Sequence, residues 1–359
     1  MAEPRTHRLV IAEVIEETAD ARSLVFEGTP QLPYEPGQFL TFKLPGTQGQ
    51  PVTARCYSLA SSPHTGEPMK VTVKRVPGGH GSNWLCDHAV PGAELEVLPP
   101  AGTFTPPGLD TDLLLVAGGS GITPVMSILK SVLTRGRARL VLLYANRSES
   151  AVIFRDELRE LTEDYPDRLQ VVHWLETLQG LPATDRLATE LAPYAGRVAY
   201  LCGPKPLMDA AEVALRGLGA TRERLHRERF FSLSGAAFGA PAAVDSSAVG
   251  SSGAGSSGAG SSGSAPDEPG STARVELDGA THEITWPSGT PLLDALLAAG
   301  VDAPYSCREG ACAACTCRVL EGEVKMTRNE VLDDVDLADG YILACQSLPL
   351  TPRVGITYS

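Results

Sequence analysis

Over its first hundred residues the chain alternates apolar and polar positions in short runs. HRLVIAEVIEE (7–17), RSLVFEG (22–28), QFLTFKLP (38–45), MKVTVKRV (69–76) and ELEVLPP (94–100) each carry this period. An alternation of two places one face of a strand in a core and the other toward water. Gly and Pro turns punctuate the runs, and SNWLCDHA (82–89) interrupts them with a helix-like insert. Residues 1–108 are therefore expected to form an antiparallel β-barrel. The pattern then changes. LLLVAGG (113–119) is a continuous apolar run, the mark of a strand covered on both faces. Helical and strand patterns alternate after it: a helix from Ile122, RLVLLYANR, a helix in AVIFRDELREL, LQVVHWL, a short helix, VAYLCG, and a helix in PLMDAAEVALRGL. Residues 109–233 are expected to form a doubly wound parallel α/β sheet.

Between 234 and 272 periodicity disappears. The stretch is rich in Gly, Ser and Ala and repeats SSGAG. Such a composition cannot build a core, so it predicts a flexible tether. Its 39 residues would span roughly 30–40 Å in the root mean square, at about 5–6 Å × √n. Residues 273–359 then form a third domain. The chain carries a net charge of −13, which argues against nucleic acid as a partner. The third domain holds 13 Asp/Glu against 6 Lys/Arg, a net −7. This is either a solvated acidic surface or a docking face for a basic redox partner. No run reaches the ~18 apolar residues of a membrane span. The N-terminus, MAEPRTHRLV, shows no apolar signal segment, so a cytoplasmic location is expected.

The third domain contains the main chemical signal. Cys307, Cys312, Cys315 and Cys345 read C-x4-C-x2-C, then a long gap, then C. That is the plant-type ligand spacing for a [2Fe–2S] cluster. Small residues (Gly310, Ala311, Ala313, Ala314) fill the spaces between thiols, so backbone N–H groups can approach a cluster. A zinc site would repeat C-x2-C pairs, and disulfides suit an oxidising compartment. Cys345 lies in GYILACQS, an apolar run that predicts a buried strand carrying its ligand inward. Cys317 is expected to be a small buried residue rather than a ligand. Cys86-x-His88 is half of a Rieske pattern without its second half. His7, His64, His173, His226 and His282 have no metal spacing.

Two stretches have phosphate-binding character. LLLVAGG runs into Gly119-Ser120-Gly121-Ile122-Thr123-Pro124 before a helix. Glycine lets backbone close on a pyrophosphate, and a helix N-terminus supplies N–H groups. Read alone, this is also an ordinary strand–helix turn. The second stretch is RCYSLASSP, from Arg55, followed by VKRVPGGHGSNW.

In these motifs and their order, the chain resembles a ferredoxin–NADP⁺ reductase-type flavoprotein fused to a plant-type ferredoxin. The likeness covers everything outside the Gly/Ser-rich stretch. It implies a FAD barrel, an NAD(P) domain and an α+β ferredoxin domain of β-grasp type. By this resemblance Arg55 binds the flavin pyrophosphate, Tyr57 stacks on the isoalloxazine and Ser58 lies near N5. Val73 and Lys74 lie beside the ribose and adenine. Gly79-His80-Gly81-Ser82 matches the segment that gives N–H groups to the phosphates, so Gly81, Ser82 and the adjoining Asn83 are expected cofactor-binding residues. Gly119, Ser120, Gly121, Thr123 and Pro124 form the nicotinamide-side loop. Cys202, Gly203 and Pro204 match a C-G-P segment whose Cys lies near nicotinamide C4. Ser58 and Cys202 are thus the expected catalytic neighbours. Phe230 or Phe231 would supply the aromatic that ends such domains, though core packing fits either as well. Arg147 sits where the family contacts the adenine ribose. An Arg there suits a 2′-phosphate but also occurs in NADH users, and NADH is the expected donor with NADPH the alternative.

The parts imply a two-to-one electron converter. NAD(P)H gives two electrons as hydride, a [2Fe–2S] centre takes one, and a flavin connects the two. The tail most resembles the reductases of bacterial steroid hydroxylases, and the reductase subunits of aryl-CoA epoxidases share the domain order. Electrons are therefore expected to leave for a separate oxygenase. Two other readings remain: a redox-sensing module that binds flavin and cluster without turnover, and a stand-alone diaphorase.

Overall fold

The computed structural model describes residues 6–28, 32–46, 52–230, 232–233, 238, 270–332 and 334–358. Most of the predicted tether, and Phe231, lie outside the described residues. The chain divides into two compact units: one holds Arg5–Ser232, the other the C-terminal domain. Among the described residues no helix is long and apolar enough to cross a membrane.

The first domain contains β1 (His7–Thr18), β2 (Ala21–Phe26), β3 (Phe39–Pro45), β4 (Val52–Ser58), β5 (Lys70–Lys74), α1 (His80–His88) and β6 (Glu94–Val97). The strands run in the order β4-β3-β6-β1-β2-β5, all antiparallel. A bridge between Leu59 and Val71 joins the two ends of the sheet, so it curls into a barrel. The alternating runs explain the register. Leu9, Ile11, Leu24, Phe26, Leu40, Phe42, Val71 and Val97 point inward and are buried. The core aromatics are closely packed: Phe26 stacks on Phe42 at 6.2 Å between centroids, and Phe42 meets the edge of Tyr57 at 5.6 Å.

The second domain holds β7 (Leu113–Gly118), α2 (Ile122–Arg135), β8 (Leu140–Asn146), α3 (Arg155–Asp164), β9 (Leu169–Leu175), α4 (Glu176–Gln179), α5 (Thr184–Leu191), β10 (Val198–Cys202), α6 (Lys205–Gly217) and β11 (Leu225–Glu228). Its parallel sheet runs β11-β10-β7-β8-β9. The apolar run of β7 is buried on both faces, as its lack of alternation predicts. Leu113, Leu115 and Ala117 enter the cluster under α2. Leu114 and Val116 enter the opposite cluster, with residues of α5 and α6. The chain moves outward from β7 to β8 and β9, then returns to place β10 on the other side of β7. The switch point of the sheet therefore lies between the carboxyl ends of β7 and β10, where such sheets bind ligands.

Helix α2 also holds this domain against the barrel. Ser127 Oγ donates to Ser61 O at 2.6 Å, and the hydroxyls of Ser131 and Ser62 are 2.8 Å apart. Lys130 Nζ lies 2.8 Å from Glu67 and 2.9 Å from Glu157. Lys70 reaches the second Glu157 oxygen at 3.1 Å. The Lys130 side chain is only 6% exposed. A charge so buried requires its partners.

A two-residue strand, β12 (Ser232–Leu233), follows. The C-terminal unit contains β13 (Ser271–Leu277), β14 (Ala280–Trp286), α7 (Leu292–Ala298), β15 (Thr316–Glu321), β16 (Val324–Met326), α8 (Asp334–Ala338), β17 (Tyr341–Leu343), β18 (Ser347–Pro349) and β19 (Arg353–Thr357). The mixed sheet β14-β13-β19-β15-β17 has β13 parallel to β19 and the other pairs antiparallel. Trp286, Leu292, Leu296 and Ile356 are fully buried in its core. Strand β13 begins at Ser271, inside the stretch read as tether. Residues Ser271 and Thr272 pair with Trp286 and Thr285, so tertiary pairing overrides their loop-like composition.

Candidate functional site

A cavity of about 290 Å³ opens where the barrel meets the switch point of the parallel sheet. Strand β4 contributes Arg55, Tyr57 and Ser58, strand β5 Lys74, and helix α1 Gly81 and Ser82. Ser120 and Thr123 enter from the loop after β7, and Phe230 from the chain beyond β11. These nine are all predicted site residues. Arg55 Nη1 donates to Thr53 Oγ1 and Ala54 O, each at 2.7 Å, which fixes its guanidinium on the cavity wall. Lys74 pairs with Asp20 at 3.7 Å. Ser58 is 3% exposed. Burial raises the Tyr57 phenol above its ordinary range, so the ring stays neutral.

Glycine is required at two points of this frame. A Cβ on Gly81 would sit 2.6 Å from Arg55 Cγ, so only a bare backbone leaves the arginine in place beside the start of α1. A Cβ on Gly121 would sit 2.1 Å from Cys202 O. The loop after β7 and the C-G-P segment after β10 thus meet backbone to backbone. Cys202 and its register partner Glu228 stand at the same sheet end. Burial, then the nearby Glu228, pushes the Cys202 thiol well above its usual value. Burial pushes the Glu228 carboxyl up to about 8.

Other predicted residues fall outside the cavity wall. Val73 is wholly buried in the barrel core. The Asn83 amide donates to Val76 O at 3.0 Å and Gly79 O at 2.5 Å, tying the turn before α1. Gly119, Gly121, Pro124, Cys202, Gly203 and Pro204 shape the adjoining switch point. Arg147 is exposed just past β8. Gly79 and His80 of the phosphate segment also line the cavity, with His80 Nε2 2.7 Å from Pro45 O. The structure adds Thr72, which no prediction placed at the site and which has only its strand position as a signal.

The four cysteines lie in the C-terminal unit, on one loop and one turn. Cys307, Cys315 and Cys345 are buried and Cys312 is half-buried. The backbone N–H of Cys307 donates to Cys312 Sγ at 3.3 Å; those of Glu309 and Ala311 donate to Cys307 Sγ at 3.3 and 3.4 Å. Arg308 and Ala313 adopt left-handed φ of 57° and 56°, which turns the loop's amides toward the sulfurs. Hydrogen bonds from the Cys312 and Cys345 thiols, reinforced by those two amides, draw the Cys307 thiol below its usual value. Among the described residues no three Cys, His, Asp or Glu side chains surround a single ion position. The arrangement fits a cluster: sulfur met by backbone donors in a loop of mostly small residues. Cys345 is not on a strand as its apolar run suggested. Strand β17 ends at Leu343, and Cys345 sits in the single turn Ala344–Gln346, where Ala344 N donates to Cys315 O at 3.1 Å. The turn brings the fourth thiol to the loop, which an extended strand would carry past. Cys317 is buried on β15.

Fold and site together define an oxidoreductase with flavin-, nicotinamide- and iron–sulfur-binding domains. Family models agree: an oxidoreductase FAD-binding domain matches residues 8–105, an oxidoreductase NAD-binding domain 115–213, and a 2Fe-2S iron-sulfur cluster binding domain 275–350. The chain is 51% identical over 354 residues to the 3-ketosteroid-9-alpha-monooxygenase ferredoxin reductase component of Rhodococcus rhodochrous, covering 98% of this chain and 96% of that one. It is 34% identical to one subunit of the 1,2-phenylacetyl-CoA epoxidase of Escherichia coli, covering 98% and 97%. Among solved structures it resembles a phthalate dioxygenase reductase, with a TM-score of 0.56, 25% identity and 98% of each chain covered. The chain belongs to the family of ferredoxin reductase components of oxygenase systems.

Proposed function

We propose that this chain takes hydride from NADH and delivers single electrons to a separate oxygenase that acts on a 3-ketosteroid. The observation that carries this reading is the 51% identity over 98% of this chain and 96% of the Rhodococcus protein. Bound FAD would accept hydride at N5, and the [2Fe–2S] cluster would pass electrons on one at a time. The chain's own residues provide the alignment. Arg55 and Ser82, at the mouth of α1, hold the flavin phosphates. Tyr57 presents a neutral ring to the flavin, with Phe230 on the cavity wall nearby. Ser58, at the buried end of β4, offers a hydroxyl where the reacting edge would lie. The Gly119–Thr123 loop receives the dinucleotide phosphates at the start of α2. Cys202, kept protonated by burial, gives the nicotinamide a neutral wall and no competing nucleophile. Cys307, Cys312, Cys315 and Cys345 hold the cluster.

NADH rather than NADPH is the proposed donor; the ratio of flavin reduction rates by the two donors tests this. A cytoplasmic location is proposed from the set of reduced thiols. Residues 273–359 would reach the oxygenase on the tether. The epoxidase likeness supports a second reading, in which the partner acts on an aryl-CoA. The test is NADH consumption with purified oxygenase components. A steroid-dependent rise supports the first reading. A rise only with phenylacetyl-CoA and its epoxidase supports the second, and no flavin reduction by either nucleotide would sink both.

A further inference from the structure

Next to the fourth cluster thiol stands a side chain that none of the site motifs includes. Gln346 follows Cys345 in the turn after β17, and every polar group of its amide is engaged. Nε2 donates to Arg308 O at 2.9 Å and lies 3.6 Å from Cys345 Sγ. Oε1 accepts from Thr327 Oγ1 at 2.9 Å. The Gln346 carbonyl in turn accepts from Thr327 N at 2.9 Å.

This network fixes which way the amide faces. Arg308 O can only accept, so the NH₂ end must turn to it. Thr327 donates to the oxygen and holds that orientation. The second N–H is then left to point at Cys345. The cluster loop packs against the same side chain: a Cβ on Gly310 would lie 3.0 Å from Gln346 Cγ. One amide therefore connects the three-thiol loop, the fourth thiol and the residue after β16.

An N–H donor near a cluster sulfur favours whichever redox state carries more negative charge, and reduction adds one electron. We propose that Gln346 is a positioning residue that directs an N–H bond at Cys345 and raises the reduction potential of the cluster, with Thr327 orienting the amide. This rests on the cluster reading above. It gives the last carrier in the chain a means of setting how readily it accepts an electron.

The test is an EPR-monitored redox titration of the holoprotein, with iron content and the visible spectrum recorded in parallel. Gln346→Leu removes the donor, and Thr327→Val removes the hydroxyl that orients it while leaving residues beside the ligand intact. Each is expected to retain the cluster and shift its one-electron reduction equilibrium about tenfold toward the oxidised form, or ~59 mV. Thr327→Ser keeps the hydroxyl and is expected to titrate as wild type. If Gln346→Leu loses iron, Thr327→Val decides. An unshifted potential in an iron-replete Thr327→Val, or an equal shift in Thr327→Ser, overturns the proposal. A wild-type protein without a [2Fe–2S] spectrum would instead overturn the cluster reading itself.

Discussion

Buried sulfur gives the sharpest contrast between neighbouring residues. Cys315 and Cys317 are two positions apart and equally buried, yet only Cys315 belongs to the proposed ligand set. Cys312→Ser is expected to abolish the [2Fe–2S] absorption and leave bound FAD intact. Cys317→Ala should leave that absorption unchanged and cost about 1–2 kcal/mol on urea unfolding. Glu228 makes a second prediction. Burial raises its carboxyl to about 8 in the folded chain from 4.5, so between those values the native state binds more protons than the unfolded one. Stability contributed by the protonated carboxyl is complete below 4.5 and is lost progressively as pH rises toward 8. Glu228→Gln should flatten this decline. Its advantage over wild type at pH 9 relative to pH 5 would be on the order of 1–3 kcal/mol by denaturant titration. The motif Arg55-x-Tyr57-Ser58 made three cavity residues legible, because one strand carries all of them. Glu228 and Thr72 were not legible as site residues. The crossover through α6 lays β11 beside β10 and so brings the first next to Cys202, and strand pairing brings the second to the cavity.

Elements were legible where one physical cause dominated. The barrel strands alternate because one face meets the core, and β7 does not alternate because both faces do. The turn holding Cys345 was misread because an apolar run of that length fits a strand as well as a buried turn. Helix α2 serves two purposes that periodicity could not separate. Its start forms the Gly121 junction, and its middle carries Ser127, Lys130 and Ser131 against the barrel. Gly121→Ala must displace the Cys202–Gly203 backbone and is expected to cost roughly 3 kcal/mol on urea unfolding. Nucleotide affinity, read by titration of the folded variant, should fall with it. Lys130→Met leaves Glu67 and Glu157 short of a buried partner and should cost about 3 kcal/mol, read as a lower urea midpoint.

At the scale of the molecule, three domains were legible because each follows a different rule: alternation, strand–helix alternation, and cysteine spacing. The stretch 234–272 is read as a tether from composition alone, and nearly all of it lies outside the described residues. As a tether it predicts that deleting about half of it slows reduction of an oxygenase partner several-fold while the rate of flavin reduction by NADH stays constant. Equal slowing of both steps would remove that role. The polar seam of α2 has a consequence for heat. Because Lys130, Ser127 and Ser131 share their partners with the barrel, neither half of residues 6–230 keeps its buried polar groups satisfied once the other melts. A calorimeter should therefore record barrel and nucleotide domain as one endotherm, with the iron–sulfur domain, which has its own core, melting in another.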